Sequence, residues 1–190
     1  QLTNKASIFS CDESAVFSNG GVIDFGGGWK TFEIPAPEVK MGKYDGEHVT
    51  TNSWLNTLIF MGAWNLVLKD GRFKNHDWVV KVDPDAVFFS QRLRHMVKAH
   101  AEKPGAKLFF LNCDANGFKS MYGALEVFSR PAIEAYFDGK ESCEKELDWH
   151  GWGEDMYMQK CLEKLGVGQI EGYGMVGDNR CHAAPCSDQT

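Results

Sequence analysis

The stretch HDWVVKVDPDAVFF, residues 76–89, constrains this chain more than any other. An apolar, largely β-branched run (Trp78, Val79, Val80, Val82) stops at two carboxylates one residue apart, Asp83 and Asp85, with Pro84 between them. Such a run predicts a buried strand ending in an acidic turn. Two carboxylates so close repel each other, and a cation between them removes the repulsion. Aspartate oxygens are hard ligands suited to Mg²⁺ or Mn²⁺, ions that keep coordination positions open for substrate phosphates. The first expectation is therefore a divalent-metal site at Asp83 and Asp85 serving a phosphorylated donor. The plainer alternative is a solvated turn whose aspartate caps the next helix.

Around this stretch the apolar pattern alternates between strand and helix. Trp54, Leu55, Leu58, Ile59, Phe60, Met61 and Leu66 recur at helical spacing, which predicts a core helix over residues 51–68 with Thr50 or Thr51 as its cap. Ser90 is expected to cap a helix over 91–101, ended by Pro104-Gly105. Residues 107–111 and 121–128 read as two further buried strands, and Ser129-Arg130-Pro131 opens a helix with proline in its first turn. Residues 6–9 read as a short first strand. It would carry Asp12 and Glu13 to the carboxyl edge of the sheet, where α/β proteins gather nucleotides; the equal alternative is that the two form a solvated turn. Gly26-Gly27-Gly28 before Trp29 marks a loop without the spacing of a phosphate-binding fingerprint. The sum is an α/β domain with a mostly parallel central sheet flanked by helices. The 190 residues show no internal repeat or linker and suit one domain.

Charge and cysteine usage narrow the partners. A net charge of −6, with no block of Lys and Arg, leaves no electrostatic footprint for nucleic acid. Six cysteines without a CxxC zinc spacing point to an oxidising compartment. Cys181 and Cys186 flank a short loop containing Pro185 and are the pair expected to close most easily, whereas Cys161, on the apolar side of its helix, is expected to be a buried thiol. The longest apolar stretch, residues 58–68, is interrupted by Asn65 and is too short to span a bilayer. The chain opens on Gln1, so it reads as a trimmed piece, and any membrane attachment is expected in a segment outside it.

A second cluster, DWHGWGED at residues 148–155, carries the other chemistry. Trp149, His150 and Trp152, punctuated by glycines, are expected to form a wall on which a sugar ring stacks. Glu154 and Asp155 open a helix whose apolar side is Met158, Cys161, Leu162 and Leu165. Carboxylates in a first turn are stabilised by the helix dipole, which is the structural reading of this pair. The functional reading makes one of them a general base for an acceptor hydroxyl. Further on, a lone histidine such as His182 is usually structural or exposed, and the other reading is that its neutral imidazole completes the coordination of a borderline ion such as Mn²⁺.

These stretches resemble the GT-A glycosyltransferases. VVKVDPDAVFF resembles their strand-plus-DxD, and MYGALEVFSRPAIEAY is similar to the segment that reads GGxGYVLSR in β-1,3-galactosyltransferases and Fringe-like enzymes. WGEDMYMQKCLEKLGV is similar to their EDVYxGxCLxxLGV, and the three matches keep family order over about residues 77–167. The resemblance implies a single GT-A (Rossmann-like) domain, with a nucleotide and metal part over about residues 1–115 and an acceptor and catalytic part over about 116–190. It implies Mn²⁺ or Mg²⁺ on Asp83, Asp85 and His182, bridging the diphosphate of a nucleotide sugar, with a UDP-sugar as the leading donor. Gly123 and Ala124 would lie against the donor sugar. Asp155 would be the base of an inverting transfer to a glycan or glycoprotein, with Glu154 as the fallback, in the Golgi lumen or outside the cell. Pro84 and the run Ala124-Leu125-Glu126 depart from the family pattern, and the first fifty residues match no part of it. Two other readings stand beside this one. The first is a secreted carbohydrate-binding module with a degenerate transferase fold. The second is a haloacid-dehalogenase-like phosphatase with Asp83 as nucleophile and Asp85 as acid/base, although that motif normally lies near the N-terminus of such enzymes.

Overall fold

The computed structural model describes residues 1–35, 37–43, 50–100 and 105–181. In chain order its elements are β1 (Phe17–Ser18), β2 (Asp24–Gly26), β3 (Trp29–Lys30), β4 (Phe32–Glu33), α1 (Thr57–Asp70), β5 (Trp78–Val82), α2 (Ser90–Lys98) and β6 (Leu108–Leu111). They continue with β7 (Cys113–Ala115), β8 (Phe118–Ser120), β9 (Leu125–Ser129), α3 (Arg130–Glu146), α4 (Glu154–Lys164) and β10 (Gly168–Glu171). The main sheet has the order β10-β6-β9-β5, and the other strands form three two-stranded pairs.

The protein is thus mixed α/β, but the expected mostly parallel sheet is corrected. Within the main sheet only β10 and β6 pair in parallel; β9 lies antiparallel between β6 and β5. The cause is the connection after β6, which is the β7–β8 hairpin and not a helix, so the chain turns back before it re-enters the sheet. Both neighbours of β9 oppose it, so β5, β6 and β10 share one direction. Their carboxyl ends therefore meet at one edge, and this is the edge that carries Asp83.

Alternation along the strands divides the core in two. Phe109, Leu111 and Phe128 face α1, α3 and α4, packing with Trp64, Ile133, Tyr136, Met158 and Leu162, while Phe110 and Val127 face α2 with Phe88, Leu93 and Val97. Strand β5 splits in the same way, Val79 joining the first cluster and Trp78, Val80 and Val82 the second. At the edge of the sheet it is half-buried along its whole length, where the apolar run predicts full burial.

Local signals hold where a side chain has one available partner. Ser129 caps α3 by accepting from Ala132 N–H, with Pro131 in the first turn. Other expectations are corrected. Residues 7–10 form a 3₁₀ turn and not a first strand, so no strand carries Asp12 and Glu13 to the sheet edge. Helix α1 begins at Thr57, because Thr51 bonds across to Gly151 and Gly153 and cannot cap it. Ser90 lies inside the first turn of α2, bonded to Ser10 Oγ at 2.6 Å, and does not cap it. The third strand starts at Leu125 because the Asn112 amide side chain takes up the backbone of Tyr122 and Leu125 and holds residues 121–124 out of the ladder.

The cysteine pairing also differs from expectation. Cys181 is bonded to Cys113 and not to Cys186, which lies outside the described residues, and Cys161 is bonded to Cys143 and is not a free thiol. Proximity in sequence favours a short loop, but the fold brings β7 to residue 181 and packs α3 against α4. Two disulfides are compatible with a secreted or lumenal protein. No helix among the described residues is long and apolar enough to cross a membrane. Peptide mapping after alkylation without reductant is expected to find these two pairs. Removing both Cys143 and Cys161 is expected to cost about 3 kcal/mol in denaturant unfolding, the chain-entropy value for a loop of this order. Four alkylated thiols at these positions would contradict both assignments.

Candidate functional site

The chemistry gathers at the carboxyl edge of the sheet, around a residue that the sequence pattern hides. Lys81 shares a face of β5 with Val79, so its side chain enters beneath α1 and α4, opposite Glu126 of β9 in register. Its Nζ donates to three oxygens at 2.7 Å: Asp83 Oδ1, Glu154 Oε1 and the Gly123 carbonyl. The Phe60 ring lies under it, 4.4 Å to the centroid. An ammonium has three hydrogens, so the fourth neighbour, Glu126 Oε1 at 3.3 Å, is left without a hydrogen bond although it is buried.

One cation thus serves Asp83, Glu126 and Glu154, with Asp155 beside them. Burial alone favours a neutral amine, but Glu126, Glu154 and Asp83 outweigh it and hold the ammonium far above its usual range. Glu126, 1% exposed, is pushed by burial up to about 8, against the pull of Lys81. Burial also raises Asp83, again against Lys81, with Glu154 and Asp85 adding to the rise. With fewer cations than carboxylates the cluster holds a proton near neutrality or takes another positive charge.

Asp83, Pro84, Asp85 and Ala86 form a tight turn closed by Ala86 N–H on the Asp83 carbonyl, with proline at its second position. The turn's aspartates cap no helix, since α2 begins after Phe89 with no side-chain cap. Asp83 offers a second carboxylate oxygen and Asp85 is exposed. Among the described residues no three His, Cys, Asp or Glu side chains form a ready-made metal cage. The pair fits an ion such as Mg²⁺ or Mn²⁺, which binds through one or two carboxylates and completes its shell with water and substrate phosphates. His182 lies outside the described residues; Cys181 before it is fastened to β7.

Glu154 and Asp155 diverge as successive helical residues must. Glu154 points to Lys81, and its N–H is taken by Asn56 Oδ1, the side chain preceding α1, which substitutes for a cap that Gly153 lacks. Asp155 turns to Gly123 N–H, at 3.2 Å, and to Met156 N–H. Burial first, and then Glu154, push its carboxyl up to about 6, while its two N–H donors and Lys81 pull the other way. It lines a cleft of about 510 Å³ walled by the β7–β8 hairpin, α4 and β10, with Tyr122, Gln159 and Lys119 among its neighbours.

Gly123 sits between these carboxylates. A Cβ there would come within 2.7 Å of Glu154 Oε1, so the missing side chain is required by the protein's own carboxylate cluster. The Ala124 carbonyl accepts from Asp83 N–H, tying the acidic turn to the start of β9. The remaining expected residues sit elsewhere. Trp152 is 9% exposed and belongs to the core, whereas Trp149 stacks on His150 at 4.1 Å and leans on Tyr157. Asp12 pairs with Arg94, and Glu13 with His76 at 2.6 Å; both line a separate hollow of about 420 Å³ with Trp29 and Phe9. His76 precedes β5 and Asp83 follows it, so the strand's length, roughly 16 Å at about 3.3 Å per residue, separates Glu13 from the acidic turn. The structure therefore brings together Asp83, Asp85, Gly123, Ala124, Glu154 and Asp155, but not Asp12, Glu13 or the tryptophan loop. No protein-family model matches the chain.

Proposed function

We propose that this chain is a metal-dependent glycosyltransferase of the GT-A type, moving a sugar from a nucleotide-diphosphate sugar to the hydroxyl of a glycan or glycoprotein acceptor with inversion. The observation that carries the reading is Asp155: a carboxyl raised to about 6, facing a cleft, one hydrogen bond from the glycine that links it to the DxD turn. A carboxylate with that value is ionised at neutral pH and basic enough to take a proton from a hydroxyl as it attacks.

Asp83 and Asp85 would hold Mn²⁺ or Mg²⁺, which when bound neutralises the departing diphosphate of a donor such as a UDP-sugar. Gly123 and Ala124, between the acidic turn and α4, would lie against the donor sugar. An acceptor hydroxyl entering the cleft meets Asp155, which accepts its proton as the new glycosidic bond forms. Glu154, tied to Lys81, keeps the first turn of α4 in place and takes no proton. The disulfides accord with a site of action in the Golgi lumen or outside the cell.

The test is a panel of nucleotide sugars incubated with Mn²⁺ or with chelator, alongside calorimetry of UDP with and without Mn²⁺. Metal-dependent release of UDP and metal-dependent nucleotide binding are expected. A protein that binds saccharide but ignores nucleoside diphosphates in Mn²⁺ is a carbohydrate-binding module, and the transferase reading then falls.

A further inference from the structure

The arrangement around Lys81 has a consequence of its own. Its three ammonium hydrogens are spent on three different segments: the turn after β5, the loop before β9 and the first turn of α4. Asn56 and Thr51 attach α4's start to the α1 side, and Gly123 N–H attaches Asp155 to the same loop, but among the described residues only Lys81 touches all three segments at once. We propose that Lys81 is the positioning residue of this site, fixing Asp83, Gly123 and Glu154 about one point, and that Glu126 is the buried cross-strand partner that keeps its side chain turned inward. Glu126 fits that role because it lies directly across the ladder, is buried, and has an oxygen 3.3 Å from the ammonium that no hydrogen bond claims. Lys81 leaves the second oxygen of Asp83 free. A carboxylate oriented by such a neighbour holds a metal ion more tightly than an unsupported one, typically by 10–100-fold. That consequence for ligands rests on the transferase reading; the positioning itself does not.

Two variants separate positioning from mere folding. Lys81→Met alone strands three carboxylates and is expected to melt well below the parent protein. Lys81→Met combined with Glu126→Leu removes the buried pair as a unit, which often leaves stability unchanged or improved. With burial pushing Glu126 up to about 8, the double change at neutral pH removes chiefly the positive charge of Lys81, which by itself would favour a cation at Asp83 and Asp85, so a lost affinity reports geometry. In the double variant, native-state hydrogen exchange is expected to quicken about tenfold or more at the Gly123 and Glu154 amides while the β6 amides stay unchanged. Mn²⁺-dependent UDP binding is expected to weaken about 10–100-fold. If the double variant regains stability with Gly123 and Glu154 exchanging as in the parent, Lys81 is a structural ion pair and the proposal is overturned. If exchange quickens locally but the parent protein binds no UDP with Mn²⁺, the positioning role stands and the transferase reading is what fails. A double variant that still melts as low as Lys81→Met refutes the pairing of Lys81 with Glu126.

Discussion

Asp155→Asn is expected to lower the rate of sugar transfer by about 10²–10⁴-fold while metal and donor affinity are retained, because the change is nearly isosteric and removes only the ability to accept a proton. The pH profile gives the sharper signature. With its carboxyl at about 6, kcat/KM of the parent protein should rise as pH climbs through that value and then level off, and the variant should lose that limb. Stability should move the opposite way. A carboxyl raised above its ordinary 3.8 in the folded state favours folding when protonated. That contribution is complete below about pH 4 and is lost as pH rises through about 6. The difference of roughly two pKa units corresponds to about 3 kcal/mol, reduced where asparagine cannot accept both N–H groups that Asp155 accepts. The variant should therefore melt higher than its parent at pH 7, with the gain gone near pH 4. Glu154→Gln should do the reverse, weakening the hold on Lys81 and lowering stability while slowing transfer far less. A dead Glu154→Gln beside an active Asp155→Asn would exchange the two roles. Full activity in both would remove the base from this helix altogether.

The parts of the site legible in the sequence are those whose signals are local. The β-branched run before Asp83, the Ser129-Arg130-Pro131 step and the acidic first turn of α4 each involve contacts within a few residues, and each appears where the pattern puts it. What escaped depends on pairing across long separations. Nothing in LEVFS states that it runs antiparallel between two strands of the opposite direction, and nothing in six scattered cysteines states that position 113 meets 181. The four residues of SIFS are too few for periodicity to tell a 3₁₀ turn from a strand. Lys81 was hidden because a lysine in an apolar run reads as the solvent side of a strand. A signal did exist: VVKV and LEVF each carry one opposite charge in an otherwise apolar strand, the pattern of two groups buried against each other. The close packing at Gly123 escaped for a related reason, since a glycine beside a sugar and a glycine beside two carboxylates look the same in sequence.

Asp85, not Asp83, is the residue whose removal tests the metal site cleanly. Asp83 is engaged by Lys81, so Asp83→Ala would leave the ammonium short of an anion and disturb Glu154 as well. Asp85 is exposed in the turn, adds to the charge that raises Asp83, and takes no part in the Lys81 bonds. Asp85→Ala should therefore leave the melting temperature of the metal-free protein nearly unchanged, as exposed substitutions usually alter stability by no more than about 0.5 kcal/mol. Its effect on ligands should be large. With one of two carboxylates gone, a hard divalent ion keeps a single protein ligand at this turn, and Mn²⁺-dependent UDP affinity should fall on the order of 100-fold or more, beyond the loss expected for a residue that only orients a ligand. Calorimetry decides it when the variant is compared with the parent protein in chelator. The two should behave alike, since each lacks the bound ion by a different route. UDP affinity in Mn²⁺ that is untouched by Asp85→Ala would mean that the turn holds no metal, leaving Asp83 as a partner of Lys81 alone.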